Sequence, residues 1–257
     1  MLNFPAFEAI PAGLLQGRSN ATARALARAD WLLRDKSDGR YLAVCRAGRI
    51  EALLPQRWRA GLGRLTGPAV LRCLARGRVP CAGMDGATAS LRRIWRELGI
   101  STGYGSERGL ALVPEPGRLQ LAGRDRYQRP LWLTPATSRA WQAMRAAAAS
   151  EAVQLEAISG YRSHAYQAGI FRRKRARGVA LEQILRVNAA PGYSEHHSGR
   201  ALDIGTPGEP AAEEGFEQTP AFAWLRQRAA DFGFVMSYPR DNPHAIAYEP
   251  WHWCFSS

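Results

Sequence analysis

Apolar residues first gather in short runs broken by turn residues. Trp31-Leu32-Leu33 and Tyr41-Leu42-Ala43-Val44-Cys45 flank Lys36-Ser37-Asp38-Gly39, where Asp-Gly signals a hairpin. Ala47-Gly48 then predicts a third strand over Arg49-Ile50-Glu51-Ala52-Leu53. Further along, the spacing becomes helical. Leu91, Ile94, Trp95 and Leu98 fall at i, i+3, i+4 and i+7, and Gly99 stops the helix. No constellation of catalytic residues occurs in this stretch, so residues 1–110 read as a small α+β domain of unassigned role. Gly103 to Gly123 is rich in Gly and Pro and weakly periodic, which places a domain boundary within it.

A second domain is expected over residues 118–257. Pro130–Leu133 reads as a strand, and Thr134 caps a helix with Pro135 at its first position. Trp141, Met144 and Ala148 form the buried stripe of that helix. Val153–Ile158 reads as a strand leading to Ser159-Gly160-Tyr161-Arg162-Ser163. A helix from about Ala165 to Gly178 follows, then a short one around Leu181, Ile184 and Leu185. Thr219-Pro220 starts a helix running to Gly233, and Phe234–Met236 and Tyr248–Phe255 read as closing strands. Helices on a mainly antiparallel sheet make this an α+β domain as well.

Composition narrows the classes. The 257 residues are 46% apolar, enough for one large or two small cores. No apolar stretch approaches the ~20 residues that span a bilayer. The net charge is +13, and 33 of the 35 basic residues are arginine, the lysines being Lys36 and Lys174. That skew reads as codon bias. The basic run Arg172-Arg173-Lys174-Arg175 with Arg177 reads as a solvated helix face, and no nucleic-acid recognition motif accompanies it, so no nucleic-acid partner is expected. Cys45, Cys73, Cys81 and Cys254 make no C-x-x-C pair, which argues against a thiolate zinc cluster; Cys73 and Cys81 are the candidates for a disulfide. Met1–Pro5 lacks a basic n-region followed by an apolar core, which reads as cytoplasmic, with a periplasmic or wall-associated location as the alternative.

The chemistry lies in two segments: Ser194-Glu195-His196-His197-Ser198-Gly199-Arg200-Ala201-Leu202-Asp203 and Glu249-Pro250-Trp251-His252-Trp253. A catalytic zinc site takes three protein ligands from nitrogen and carboxylate oxygen donors and leaves one position open. His196, Asp203 and His252 supply such a set, although spacing alone leaves His197 as an alternative to His196. Alternation sends Trp251 and Trp253 one way and the His252 imidazole the other. Glu249 would face away from His252 in a regular strand, but Pro250 perturbs the backbone between them. A carboxylate beside metal-activated water is what hydrolysis needs.

These residues resemble the VanY-type D-alanyl-D-alanine carboxypeptidases, part of a larger group with lysostaphin-like peptidases and hedgehog domains. The S-x-H-x-x-G-x-A-x-D motif is matched at Ser194, His196, Gly199, Ala201 and Asp203, E-P-W-H at Glu249–His252, and S-G-Y-R-S at Ser159–Ser163, within a resemblance from about Tyr127 to Phe255. Cys254 stands where a basic residue is expected. The resemblance implies one zinc per chain on His196, Asp203 and His252, Glu249 as base and Arg162 as oxyanion stabiliser. Ser163, Gln167 and Ser194 are its candidates for binding the peptide. It implies hydrolysis of the terminal D-Ala-D-Ala bond of peptidoglycan stem peptides or muropeptide fragments. The alternatives are an L,D-carboxypeptidase, an endopeptidase, or a non-catalytic wall-binding module on the same fold.

Overall fold

The computed structural model describes residues 1–63, 65–79 and 84–256, with the side chains of 84–87 excluded. The candidate disulfide partner Cys81 lies outside these residues. The chain forms two compact units: Met1–Ala87 with Pro116–Leu119, and Thr88–Glu115 with Gln120–Ser257.

The first unit is built on a five-stranded antiparallel sheet in sequence order, Leu2–Asn3, Phe7–Pro11, Trp31–Asp35, Tyr41–Arg46 and Arg49–Ala52. The hairpin and third strand expected from sequence are present. Ala47 and Gly48 both take positive φ, 47° and 71°, as a tight turn between twisted strands requires. Alternation splits the sheet's faces. Leu33, Ala43 and Cys45 pack with Trp58, Val70 and Leu74 from the helices Pro55–Leu62 and Gly67–Arg76. Leu32 and Val44 point the other way, into a cluster with Leu26 of the helix Asn20–Leu26. Pro116–Leu119 returns to this unit, where the backbone N–H groups of Asn3 and Leu119 donate to Gly117 and Met1.

In the second unit, four antiparallel strands run in the spatial order Phe234–Met236, His252–Phe255, Ala201–Gly205, Glu156–Ser159. A two-stranded ladder joins Gln120–Arg124 to Pro130–Leu133. Both units are therefore α+β with antiparallel sheets. Thr134 caps the helix Pro135–Ser150 as its sequence predicts, its hydroxyl oxygen accepting from the Thr137 N–H. Trp141, Met144 and Ala148 of that helix pack on Leu202, Ile204, Trp224, Phe234 and Trp253. Two strands are shorter than their apolar runs. Val153 gives its N–H to Ala148, closing the preceding helix, so the ladder starts at Glu156. Pro250 and Trp251 form a turn, so the last strand starts at His252.

The chain changes unit at 115/116 and 119/120, within the expected boundary of 103–123, and also at 87/88. The helix Met84–Leu98 presents Leu91, Trp95 and Leu98 to Phe171, Ile184, Tyr193 and Tyr238, and Ile100 and Tyr104 join the same cluster. The Trp95 indole N–H donates to the Pro191 carbonyl at 2.7 Å. Segment 88–115 thus belongs to the unit that carries the histidine motifs. Its Gly and Pro content masks this, because the contacts are made by scattered side chains rather than by a periodic face.

Candidate metal and catalytic centre

Two strands and one short turn place the candidate ligands. In the strand Ala201–Gly205, Leu202 and Ile204 enter the core, and Asp203 projects from the opposite face. His252 sits directly across the ladder from Asp203. His196 comes from a 3-10 turn, Glu195–Ser198, ended by Gly199 at φ 66°, a left-handed conformation that glycine adopts without strain. Ligand atoms of His196, Asp203 and His252 lie within 4.8 Å of one another, and all three residues are buried.

Hydrogen bonds fix both imidazoles. His196 Nδ1 lies 2.7 Å from the Gly160 carbonyl, which leaves Nε2 toward Asp203 Oδ1 at 3.2 Å. Gly160 lacks a Cβ for a steric reason, since one would stand 2.7 Å from a Leu131 methyl and 3.1 Å from the Trp132 carbonyl. His252 Nε2 donates to Glu195 Oε2 at 2.8 Å, so Nδ1 is the nitrogen that faces Asp203 Oδ1, at 3.2 Å. Each histidine keeps one nitrogen for a ligand and uses the other for orientation, as in metal sites generally. Two nitrogens and a carboxylate oxygen suit zinc. His197 is occupied otherwise. Its Nδ1 donates to the Arg162 carbonyl at 2.7 Å and its Nε2 accepts from the Gly192 N–H at 3.1 Å. It fastens two loops together and has no nitrogen left for a ligand.

Charge is concentrated here. Burial alone would lower His252, but hydrogen bonds to Asp203 and Glu195, with their charges, hold it up at about 10. Burial, helped by the Arg162 charge, pushes His196 down to about 4. Asp203 stays well below the ordinary carboxylate range, because both histidines and Arg162 outweigh its burial. Glu195 is likewise held at about 2 against burial, chiefly by the His252 hydrogen bond. Asp203 and Glu195 thus stay ionised beside the two histidines.

Glu249 is the exception. Burial raises it to about 7, with Asp203 and Glu195 adding to the rise against His252 and Arg162. Its Oε2 lies 3.8 Å from His252 Nδ1, because the turn at Pro250 folds the chain back and His252 N donates to the Glu249 carbonyl. Both side chains therefore stand side by side. Arg162 Nη2 lies 3.4 Å from Asp203 Oδ2.

The three candidate peptide contacts have structural engagements. The Ser163 hydroxyl oxygen caps the helix His164–Ala176 by accepting from the Tyr166 N–H. Gln167 donates its amide N–H to Ala189 and leaves its buried Oε1 without a partner among the described residues. Ser194 is buried, and its carbonyl accepts from the His197 N–H. Sequence reasoning missed Glu195 altogether. The signal was only its place inside the histidine motif, where its acidity suggests neither a ligand nor a base. Cys254, at the position expected to be basic, has a thiol raised to about 12 by burial and by the nearby Glu195 carboxylate.

The segment that carries these residues is similar to known proteins. Residues 130–257 match the family model described as VanY, D-alanyl-D-alanine carboxypeptidase. YodJ of Bacillus subtilis is 35% identical over 117 residues, covering 41% of this chain and 40% of that protein. The bifunctional D-Ala-D-Ala dipeptidase and D-Ala-D-Ala carboxypeptidase VanXYC of Enterococcus gallinarum is 28% identical over 145 residues, 54% of this chain and 73% of that one. The solved structure of the LdcB LD-carboxypeptidase aligns with a TM-score of 0.51 at 28% identity, over 55% of this chain and 69% of that one. The candidate ligands, Glu249 and Arg162 all lie inside the matched segment, and residues 130–257 of this chain belong to the VanY family.

Proposed function

We propose that the chain is a zinc-dependent carboxypeptidase that hydrolyses the terminal D-Ala-D-Ala bond of peptidoglycan stem peptides or muropeptide fragments. The observation that carries this reading is the gathering of three oriented ligand atoms within 4.8 Å, with the Glu249 carboxylate beside them. His196 Nε2, Asp203 and His252 Nδ1 would hold the ion. When bound, zinc supplies Lewis-acid polarisation of the scissile carbonyl and acidifies water. Glu249, raised to about 7, is matched to taking a proton from the attacking water near neutrality and delivering it to the leaving amine as the C–N bond breaks. Arg162 offers its guanidinium to the oxygen that gains negative charge. Ser163, Gln167 and Ser194 are the candidate peptide contacts, and Gln167 Oε1, without a partner among the described residues, suits a peptide N–H.

An L,D-carboxypeptidase, acting one residue further in, is the second reading, favoured by the likeness to the LdcB LD-carboxypeptidase. A wall-binding module without hydrolysis would have no use for both Glu249 and Arg162. No helix among the described residues is long and apolar enough to cross a membrane. The substrate would be met either as recycled fragments in the cytoplasm or at the wall.

Mass spectrometry of defined stem peptides tests the proposal. A pentapeptide ending in D-Ala-D-Ala should lose one alanine, chelation should stop the reaction, and added zinc should restore it. Cleavage of the tetrapeptide alone would shift the assignment to the second reading. No product from either peptide, with zinc bound, would remove the peptidase reading.

A further inference from the structure

Arg162 lies in a loop with no ladder of its own, between the strand Glu156–Ser159 and the helix His164–Ala176. Its side chain is weakly tied. Nε is buried with no partner among the described residues, and the contact of Nη2 with Asp203 is 3.4 Å long. The guanidinium is therefore placed by its backbone. That backbone is held at several points. Arg162 N donates to the His196 carbonyl, His197 Nδ1 donates to the Arg162 carbonyl, and Tyr161 N donates to Trp132. All of these partners lie within the family-matched segment 130–257.

One further holder lies outside that segment. Glu115 Oε1 accepts from the backbone N–H of His164 at 2.6 Å, and its Oε2 accepts from the Tyr161 hydroxyl at 2.9 Å. A single carboxylate thus grips the residue before Arg162 and the second residue after it. The neighbouring Val113 carbonyl meets His164 Nε2 at 2.8 Å, so the grip has two anchor points on the same segment. We propose that Glu115 is a positioning residue for Arg162, and that the segment ending there completes the active site. The inference rests on Arg162 acting in the reaction proposed above.

A carboxylate at the start of a helix also has a plain structural role, satisfying a free N–H and meeting the helix dipole. The two roles separate in a double-mutant cycle. Displacing a catalytic group by about 1 Å can cost ~10²-fold. Glu115→Ala should lower kcat/KM on the stem peptide by about 10- to 100-fold, mainly in kcat, with zinc content unchanged. Glu115→Gln keeps one acceptor oxygen and should lose less. In an Arg162→Ala background, Glu115→Ala should change kcat/KM by less than about twofold, because the group it positions is gone. Tyr161→Phe, which removes only the hydroxyl contact, should give an intermediate loss and serves if Glu115→Ala fails to fold. Wild-type activity in both Glu115→Ala and Tyr161→Phe, or equal losses in the two backgrounds, would overturn the inference. A fully active Arg162→Ala would instead overturn the functional reading on which it rests.

Discussion

Buried charge is handled differently in the two compact units. In residues 1–87 with 116–119, the buried carboxylate of Glu8 is paired with Arg34, which donates through both Nε and Nη2. The surrounding clusters are apolar. In residues 88–115 with 120–257, His196, His252, Asp203, Glu195, Glu249 and Arg162 converge, and their ionisation is pushed in opposing directions. Such an arrangement is costly to fold and useful only if something binds there. The first unit pairs off its buried carboxylate, and the second gathers the opposed charges of a candidate site.

The largest effect tests where the second unit begins. Its family match starts at 130, yet Leu91, Trp95, Leu98, Ile100 and Tyr104 are buried in its second cluster. Each such side chain contributes about 1.5–3 kcal/mol when buried. Five together rival the ~5–15 kcal/mol that holds a whole domain. A chain of residues 118–257 should therefore fail to fold cooperatively, whereas residues 88–257 should retain a sharp thermal transition by circular dichroism. Equal melting of the two would show that the site-bearing unit ends where the family match does.

Next in size is Glu249, the group most at odds with its surroundings. Glu249→Gln should retain zinc and lose activity by ~10²–10⁴, the usual cost of removing a general base. The same change should stabilise the chelated protein at high pH. The folded pKa of about 7 lies above the ordinary 4.5, so folding favours the protonated form. That advantage is complete below 4.5, fades as pH rises, and is gone above about 7. At pH 8 the wild-type protein carries an ionisation penalty of roughly 3 kcal/mol that glutamine avoids. Urea titrations of both chelated proteins at pH 4 and pH 8 should show the variant ahead only at pH 8. Equal stability of the two proteins at pH 8 would mean that the Glu249 carboxylate is solvated and no different from a surface acid.

How much of this is legible in sequence depends on the range of each interaction. His196 and Asp203 are seven residues apart and His252 stands between tryptophans, so local pattern alone suggests a shared metal. Arg162 is different. Its place beside Asp203 follows from strand order, and only the family resemblance draws attention to it. Glu195 acts on His252 across 57 residues, and Glu115 on Tyr161 across 46. Neither distance leaves a periodic trace. Caps and stops are the reverse case. Thr134, Thr219 and Gly178 mark helix ends because the interaction lies within a few residues. Phe7–Pro11 shows the limit for strands, since a single short run buried on both faces has no alternation to read.

The smallest effect concerns the arginines that dominate the chain's charge. Arg172, Arg173 and Arg175 stand in a run that a charge-only reading would give to a polyanion. Arg172 instead pairs with Glu97 through Nε and Nη2 at 2.6 and 2.7 Å, Arg175 reaches the Leu98 carbonyl, and the Arg173 guanidinium lies over the Tyr166 ring. The pairing lowers the Glu97 carboxyl, mainly through the Arg172 hydrogen bond. Both partners of that pair are substantially exposed, with side-chain accessibilities of 41% and 51%. Water and salt screen such a pair, and its contribution to stability is about 0.2–1 kcal/mol. Arg172→Ala should therefore leave kcat/KM within about twofold of wild type and lower stability by no more than about 1 kcal/mol. Arg162→Lys should lose most of its activity, because an ammonium cannot copy the planar fork of a guanidinium. The contrast between the two arginines separates a placed group from general positive charge. If Arg172→Ala weakened the reaction as much as Arg162→Lys, and both losses changed together with ionic strength, the long-range field of the basic surface would be the active feature. The loop that holds Arg162 would then matter less than the helix that displays the run.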